Sequence, residues 1–290
     1  MYIPRLMERL EYIHHLRKEQ YLCFRNQNHH FLPFVSSSVI KIVFVITKKF
    51  GLNSNTKYIA LNLYDKCMKN QFQEIYKENR NDKNFIQWKH LRNKIVNLSK
   101  IRLISCIQLA SKLDSHSNFL RISQGVIALK LIDFLKNQQH EYFFETLLFS
   151  EFSVCKVISF QMLFITPLDC IEVLMSILNF QSISELRSIA LDILDLVLIQ
   201  SHQLLSKLQS FKFCSIPKSK SERLHGTNSM ALELDLLCLS SSIIVCALSY
   251  LNIAQAMSLH IVEKLSLLIY TSSEKIIIIA YIIRSIVNSC

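Results

Sequence analysis

Glycine is nearly absent from this sequence: three glycines and four prolines occur in 290 residues. Turn-rich β-sandwiches and barrels need many more, because these two residues supply the backbone conformations of tight turns. Phosphate-binding loops and the strained turns that carry nucleophilic serines also require glycine. The scarcity of both residues therefore predicts an all-α protein and argues against the common nucleotide-binding and hydrolase folds.

The most apolar helix predicted in the first half of the chain runs from about Asn93 to Lys112 and contains the stretch ISCIQLASKLDS. From Leu103 to Ser111 it carries no charge on any face, so we expect other helices to pack on all sides of it. Its uncharged run stops on Lys112 and Asp114. A lysine at the end of so apolar a helix is either solvated or held by an acidic partner.

Apolar residues at helical spacing divide the chain into two runs of five predicted helices. The first run begins with a helix that ends at Gly51, and it continues with helices starting near Asn55 and covering about 93–112, 123–135 and 141–158. The last of these carries a predicted apolar stripe made of Phe144, Leu147, Leu148, Phe152 and Cys155. The basic connector at residues 71–90 is expected to be a surface loop or a short added helix.

The second run of helices is predicted at 167–179 and at about 183–209, 229–250, 253–270 and 272–289. Thr166 and Pro167 suit the start of the first of them, with Thr as the capping residue and Pro at the first helical position. Five helices followed by five suggest a duplicated domain. We therefore predict an N-terminal helical extension at 1–34 and two helical domains at 35–165 and 166–290.

Cysteines, targeting signals and charge limit the cellular setting that the sequence allows. The nine cysteines form no CxxC pair and mostly lie in apolar helical runs, which indicates reduced core thiols. Charges are scattered through the first residues, so no secretory signal is expected and the protein is predicted to be intracellular. Residues 236–262 carry no formal charge, but Asn252, Gln255, His260 and several serines favour a buried helical hairpin over a membrane span.

No arrangement of residues in the sequence predicts a catalytic or metal site. The adjacent pairs His14–His15 and His29–His30 point about 100° apart in a helix, which suits chelation poorly. Asp192 and Asp195 have no third ligand or base nearby in the sequence. We therefore predict no enzyme activity, no cofactor and no metal. The net charge of +11 is dispersed among acidic residues, so specific DNA binding is not expected.

Three stretches of the sequence, in the same order as in the family, resemble consecutive helices of the cyclin box. They are KFGLNSNTKYIALNLYDKCM (49–68), ISCIQLASKLDS (104–115), and SEFSVCKVISF followed by TPLDCIEVLMSILNF (150–180). The resemblance implies a cyclin fold, with an N-terminal five-helix cyclin box followed by a second, degenerate cyclin-like helical domain. Within the family, the stretch SCIQLASKLDSHSNFL is most similar to the cyclin N-terminal domain-containing proteins of meiotic crossover sites.

The resemblance also assigns roles to individual residues. In cyclins, the lysine that closes the third helix of the box and a glutamate in the fifth lie side by side on the kinase-facing surface, and these positions are Lys112 and Glu151. Structural roles in the cyclin box are implied for Asp65, Ala110, Phe160 and Pro167. The first helix departs from the family pattern, because Ser36 and Ile42 stand where cyclins usually carry arginine and tryptophan. Substrate docking through the groove which those two residues help to build is therefore not expected.

The resemblance leaves two main hypotheses for function. In the first, a cyclin-like regulatory protein binds the catalytic subunit of a cyclin-dependent kinase and promotes crossover maturation in the nucleus, on meiotic chromosomes. In the second, a kinase-independent adaptor with a cyclin fold recruits crossover and mismatch-repair-type proteins. Lys112 and Glu151 favour the first hypothesis, and the altered first helix favours the second. A third hypothesis is nucleic-acid binding, as in the cyclin-fold basal transcription factors of the B type. It requires that the basic residues of 69–102 and 212–223 lie on one face.

Overall fold

The computed structural model describes residues 3–24, 35–78, 85–115, 144–162, 165–214, 235–251 and 255–289. Within these ranges the regular elements are eleven α-helices and one 3₁₀ turn at Phe180–Ser182, without a strand. The helices are α1 (Ile3–Phe24), α2 (Ser37–Lys49), α3 (Ser54–Glu78), α4 (Phe85–Ser115), α5 (Phe144–Val157), α6 (Pro167–Ile177), α7 (Ser184–Ile199), α8 (Ser201–Cys214), α9 (Leu236–Tyr250), α10 (Gln255–Ile269) and α11 (Ser273–Val287). The all-α prediction is confirmed for this part of the chain, and the helix predicted at 123–135 lies outside it.

The chain divides into two compact units. One comprises Leu32–Phe164, and the other combines Met1–Phe31 with Ile165–Cys290. Helix α1 packs against α6 in the second unit. The predicted N-terminal extension is thus helical over Ile3–Phe24 and shares a unit with the second half of the chain. The division into domains at 1–34, 35–165 and 166–290 stays a prediction.

Helix α4 forms the centre of the unit at Leu32–Phe164. It packs against α3 and α5, and every residue from Ile101 to Ser111 is buried, as the uncharged run predicted. Its buried hydroxyls are satisfied locally: the Ser105 hydroxyl lies 3.0 Å from the carbonyl oxygen of Ile101 and 2.8 Å from the Ser150 hydroxyl on α5. Helix α4 is therefore buried along this whole stretch, with the Ser105 hydroxyl hydrogen-bonded inside the core.

The basic connector at 71–90 is more helical than predicted. Helix α3 continues to Glu78 and α4 already begins at Phe85, so only residues 79–84 lie outside the described helices. The segment contains no glycine or proline, the residues that most often end a helix. The prediction of a loop or a short added helix was therefore wrong, because the two neighbouring helices simply extend into the connector.

The predicted stripe of α5 is only partly buried. Leu147 and Cys155 are buried, as expected, but Leu148 and Phe152 are exposed, and the buried face continues instead through Glu151, Val154 and Ile158. The Phe144 side chain lies outside the described part. Because α5 is apolar over more than half of its circumference, the sequence alone does not show which apolar residues α4 covers.

Helix α9 has the corresponding central place in the second unit, where it packs against α6, α7, α10 and α11. Its serines at positions 240 to 242 are fully buried. The Ser240 hydroxyl donates to the carbonyl oxygen of Pro167 at 3.2 Å, and the Ser242 hydroxyl donates to that of Cys238 at 2.8 Å. Ser240 and Ser242 are therefore compatible with a core helix, because each finds a carbonyl acceptor, whereas the buried Ser241 hydroxyl has no hydrogen-bond partner among the described residues.

Among the helices described, none is by itself both long and apolar enough to cross a membrane. Two pairs reach that length and composition only when taken together. They are 184–199 with 201–210, bent by 80°, and 259–269 with 273–287, bent by 113°.

The first of these bends corrects the helix predicted at 183–209. That segment forms two helices, α7 and α8, which meet at Gln200 with φ −100° and ψ 23°. No glycine or proline marks the break in the sequence. The bend allows both helices to contact α11, so packing rather than local sequence decides its position.

The start of α6 confirms the reading of Thr166 and Pro167. The Thr166 hydroxyl accepts a hydrogen bond from the backbone N–H of Asp169 at 3.1 Å, and the Asp169 carboxylate accepts one from the N–H of Thr166 at 2.9 Å. This reciprocal arrangement is a capping box, with Pro167 at the first helical position. Arg9 of α1 also contacts the Asp169 carboxylate, at 3.1 Å.

Removing this cap is expected to destabilise the second unit. The substitution Thr166→Ala should lower the free energy of unfolding by about 1 kcal/mol, because the partly buried N–H of Asp169 loses its acceptor. Ser272 provides a matched control, since it precedes α11 in the capping position but makes no side-chain capping bond. Thermal unfolding followed by circular dichroism should show a lower midpoint for Thr166→Ala than for Ser272→Ala, and equal midpoints would contradict the assigned role.

Candidate functional site

Lys112 lies in the last turn of α4, which continues to Ser115 instead of ending at the lysine as predicted, and it is held by a glutamate of α5. Lys112 Nζ donates to both carboxylate oxygens of Glu151, at 2.9 Å and 2.7 Å. The Lys112 side chain is 25 % exposed and that of Glu151 is 8 % exposed. The structure thus brings together the two residues that the resemblance places at the kinase-facing surface, at an edge of the core where one partner is accessible and the other is buried.

Burial dominates the electrostatics of Glu151. It raises the pKa of the Glu151 carboxyl above its ordinary value, while the hydrogen bonds and positive charge of Lys112 lower it. One turn further along α5, burial raises the pKa of the Cys155 thiol, and the negative charge of Glu151 raises it further. The Glu151 carboxylate therefore depends on Lys112 to remain charged inside the fold, which makes the pair a single electrostatic element.

A second buried contact fixes the end of α4. The hydroxyl of Thr56, near the start of α3, donates to a carboxylate oxygen of Asp114 at 2.6 Å, and both residues are buried. The sequence identified Asp114 only as a charge at the end of the apolar run, and it placed Thr56 only near the start of a predicted helix. No signal in the sequence joins the two, since they are separated by 58 residues. The contact holds the turn that carries Lys112 against α3, and so helps to set the position of the Lys112–Glu151 pair.

Exposed apolar side chains lie on the helix that carries Glu151 and just after it, and we call them the α5 surface: Leu148, Phe149 and Phe152 on α5, and Phe160 just after it. Phe149 is the most exposed of the four, at 75 %. The rings of Phe152 and Phe160 meet edge to face at 6.3 Å, and Lys156 Nζ lies 4.6 Å from the centre of the Phe152 ring. Clustered aromatic side chains in solvent are typical of interaction sites.

Phe160 owes its place on this surface to an unusual backbone. Ser159 and Phe160 both have positive φ values, 55° and 56°, and the N–H of Phe160 donates to the carbonyl oxygen of Cys155 at 2.8 Å. This bond closes the C-terminal end of α5. The residue predicted to be structural thus terminates a helix through its backbone, while its ring lies largely in solvent.

The other residues predicted to be structural lie on three different helices. Ala110 is fully buried in α4, and Pro167 is buried in the first turn of α6. Asp65 is half-buried on α3, one turn before Lys69. Burial lowers the pKa of the Lys69 ammonium, and the negative charge of Asp65 opposes that shift. The structural roles in the cyclin box that the resemblance implies for these residues stay predictions.

The altered first helix of the box corresponds to α2. Ser36 caps its start and accepts a hydrogen bond from the N–H of Val39 at 3.4 Å. Ile42 is 45 % exposed and lines a shallow groove together with Lys41, Val45 and Ile46. Ser36 thus contributes a helix cap, and Ile42 contributes an exposed apolar side chain. Neither residue supplies the arginine or tryptophan side chain with which cyclins usually build their docking groove.

In the portion of the chain that the structure describes, no group of three or more His, Cys, Asp or Glu side chains could hold a metal ion. His14 has a structural contact instead: its Nε2 lies 2.9 Å from the carbonyl oxygen of Leu268, and its ring packs 5.0 Å from that of Tyr270. The pair His29–His30 lies outside the described residues. The described cysteines with buried thiols, none of them in a disulfide, are Cys67, Cys106, Cys155, Cys170, Cys238 and Cys246.

Comparison with known proteins agrees with the resemblance at the level of the family. No family model matches the chain. The chain is 26 % identical over 220 residues to "Cyclin N-terminal domain-containing protein 1" of Mus musculus, an alignment that covers 73 % of this chain and 63 % of the mouse protein. It is 25 % identical over 239 residues to the protein of the same name from Homo sapiens, with 79 % and 70 % covered.

The chain therefore spans just under two thirds of the length of its mouse relative. Its all-α architecture is consistent with the relatives' name, and a cyclin fold is suggested by that name. Together the two relatives support assignment of this chain to a cyclin-like family.

Proposed function

We propose that this chain is a cyclin-like regulatory protein that binds the catalytic subunit of a cyclin-dependent kinase. The observation that carries the proposal is the position of the Lys112–Glu151 pair, which is partly accessible and is bordered by the exposed aromatic residues of the α5 surface. The resemblance gives the same two positions to the kinase-facing side of the cyclin box. We propose no enzyme activity, cofactor or metal for the chain itself.

The chemistry of the α5 surface suits an apolar segment of a protein partner. At α-helical spacing, Leu148 lies one turn before Glu151 and about 60° from it around the helix, so a partner that covers Leu148 and the neighbouring Phe152 also reaches the edge of the charge pair. Covering the pair would exclude water from it and strengthen its electrostatic attraction. Aromatic residues at the centre of an interface commonly contribute most of the binding energy. Phe149, at 75 % exposure, is the candidate for that role.

We further propose that the protein acts in the nucleus, on meiotic chromosomes, where it promotes crossover maturation with crossover-site recombination proteins. Support comes from the resemblance of the stretch SCIQLASKLDSHSNFL to proteins of meiotic crossover sites. Immunofluorescence of the endogenous protein on spread chromosomes tests this part. We expect foci in late meiotic prophase, in numbers close to the number of crossovers, and a signal confined to the cytoplasm would contradict it.

A second candidate function is a kinase-independent adaptor that recruits crossover and mismatch-repair-type proteins. The specific observation in its favour is α2, in which Ser36 acts as a cap and Ile42 is exposed where cyclins usually carry arginine and tryptophan. In this case the α5 surface would bind a recombination protein. The identity of the captured partner separates the two functions.

Capture of a kinase through the α5 surface provides the test. The full-length protein, purified with an affinity tag and incubated with extract of meiotic tissue, is expected to retain a cyclin-dependent kinase catalytic subunit identified by mass spectrometry. The substitution Phe149→Ser should reduce that capture at least about tenfold, as expected for an interface anchor. Because Phe149 is mostly exposed, the fold should change by less than about 0.5 kcal/mol.

Phe72 provides the matched control, since it is also an exposed phenylalanine, on α3 of the same unit. The substitution Phe72→Ser should leave kinase capture unchanged. Wild-type protein that retains recombination proteins but no kinase would contradict the regulatory function and favour the adaptor. Equal losses for the two substitutions would contradict the α5 surface as the binding site.

A further inference from the structure

A second exposed apolar surface lies on α11, in the unit formed by Met1–Phe31 and Ile165–Cys290. One side of this helix is buried against α7, α8, α9 and α10 through Ile276, Ile279, Ile283 and Ile286. On its other side Ile277, Ile278 and Tyr281 are exposed, and Tyr281 is 67 % exposed. Helix α11 thus presents apolar side chains to solvent as well as to its own core.

Opposite charges stand at the two ends of this exposed side. Glu274 lies in the first turn of α11 and Arg284 in the last, and both are exposed. They are separated by about 15 Å along the axis at 1.5 Å per residue. At 100° per residue, Glu274, Ile277, Ile278, Tyr281 and Arg284 all fall within about 120° of the helix circumference. We call this set the α11 face.

The basic end of the α11 face is held in place by its neighbours. The Arg284 guanidinium lies 5.8 Å from the centre of the Tyr250 ring, and the Tyr250 hydroxyl is 2.6 Å from the side-chain carbonyl of Asn288. Lys207 of α8 contacts the Ser285 hydroxyl at 2.9 Å and adds positive charge at the same end. The α11 face itself therefore carries an acid at one end, apolar side chains at the centre and a base at the other end, while the half-buried Lys275 lies about 100° around the helix from Glu274.

We propose that the α11 face binds a second copy of this chain, with the two α11 helices antiparallel about a two-fold axis. An axis at the height of Ile279 places Glu274 of each copy opposite Arg284 of the other. The same axis places Ile277 of each copy opposite Tyr281 of the other, so apolar side chains meet at the centre. The pattern of charges is complementary to itself only in this antiparallel order, because parallel helices would juxtapose like charges.

The size of the face sets the strength of this association. A contact along one face of a helix of about four turns buries less than the roughly 1,200 Å² at which stable protein interfaces begin. We therefore expect a weak dimer, with a dissociation constant on the order of 10 to 100 µM, which forms where the protein is locally concentrated. The α11 face and the α5 surface have no residue in common, so different substitutions test the dimer and the proposed kinase binding.

Charge reversal tests the proposal directly. Sedimentation equilibrium of the full-length protein at concentrations up to about 200 µM should show a reversible dimer of the wild type. Glu274→Arg and Arg284→Glu, made singly, each place like charges opposite one another twice in the dimer, and each should weaken association at least about tenfold. The double variant with both changes restores two opposite-charge pairs and should return the dissociation constant to within about threefold of the wild type.

Glu185, an exposed acid in the first turn of α7, provides the control. The substitution Glu185→Arg makes the same charge change elsewhere in the unit and should leave the dimer intact. Thermal unfolding of each variant shows whether a loss of association reflects a loss of folding. Glu274→Gln and Arg284→Gln, which remove a charge without reversing it, serve the same purpose. A wild type that remains monomeric at every concentration would overturn the proposal. So would a double variant that stays folded without recovering the dimer.

Discussion

The substitution Lys112→Met is expected to lower the free energy of unfolding by about 3 kcal/mol at neutral pH, the lower end of the range for breaking a buried ion pair. The reason is the carboxylate that remains behind. Glu151 is buried with its side chain 8 % exposed, and Lys112 donates to both of its oxygens. Without Lys112, the ionised form of Glu151 loses its compensating charge. We expect a loss at the lower end of that range because water partly reaches the Lys112 side chain.

The pH dependence of this loss identifies its cause. Burial already raises the pKa of Glu151, and Lys112 opposes that rise, so the pKa of Glu151 should be higher still in the Lys112→Met variant. A raised carboxyl pKa in the folded state gives stability that is present below the unfolded value and is lost as pH rises through the folded value. The difference in unfolding free energy between variant and wild type should therefore shrink as pH falls from about 8 toward about 4.3, which is the ordinary pKa of glutamate.

The measurement is urea unfolding of the full-length protein at several pH values. The control is a double variant, Lys112→Met with Glu151→Leu, which removes both charges and retains apolar volume at the site. It should be close to the wild type in stability at neutral pH, because an ion pair replaced by well-packed apolar residues commonly costs little. A double variant as unstable as the single one, or a loss that does not change with pH, would mean that the charge on Glu151 is not the cause.

The second large effect is expected in the centre of the same unit, where Ile107→Ala should lower the free energy of unfolding by about 2 to 5 kcal/mol. Ile107 is fully buried in the middle of α4, which packs against α3 and α5. Its replacement removes apolar contacts and leaves a cavity, because helices packed on two sides cannot fully collapse into the space.

Ile42 is the matched control for this second experiment, since the same residue type on α2 is 45 % exposed. The substitution Ile42→Ala should cost less than about 1 kcal/mol, because little additional surface is uncovered and no cavity forms. Both variants can be compared with the wild type by urea unfolding at neutral pH. Similar losses for the two positions would contradict the central place of α4 in this core.

The geometry of the charge pair also decides how the proposed kinase contact should be tested. Reversing the charge of Lys112 or Glu151 would bring two like charges together at a site with one buried member, so the fold itself would lose stability. A loss of binding in such variants would not separate partner contact from folding. Phe149 avoids this difficulty, since its ring is mostly in solvent.

Local sequence rules explain the features that were predicted correctly. The uncharged run from Leu103 to Ser111 required a buried helix, and it lies at the centre of its unit. Thr166 and Pro167 formed a helix start, because a capping hydroxyl and a residue without an N–H both suit the first turn. Each of these features depends on residues within a few positions of one another, and so it can be read from a short segment.

Features that depend on distant parts of the chain were missed or predicted wrongly. The sequence suggested one helix over 183–209, whereas contacts of both α7 and α8 with α11 accompany a bend of 80° between them. It suggested that Leu148 and Phe152 are buried, whereas α5 exposes them beside Glu151. The bond between Thr56 and Asp114 joins residues 58 positions apart, and neither position carries a local sign of it.

The sequence by itself determined that the described part of this protein is helical, where its most apolar helices lie, and that one of them carries a lysine in its last turn. Helical periodicity and capping are short-range properties, and the sparse glycines and prolines leave long segments free to form helices. Only the tertiary structure decided which apolar residues became core and which became surface, and that Lys112 holds Glu151. The reason is that a helix apolar on several sides buries whichever side its neighbours cover, and that choice is made by packing between segments far apart in the chain.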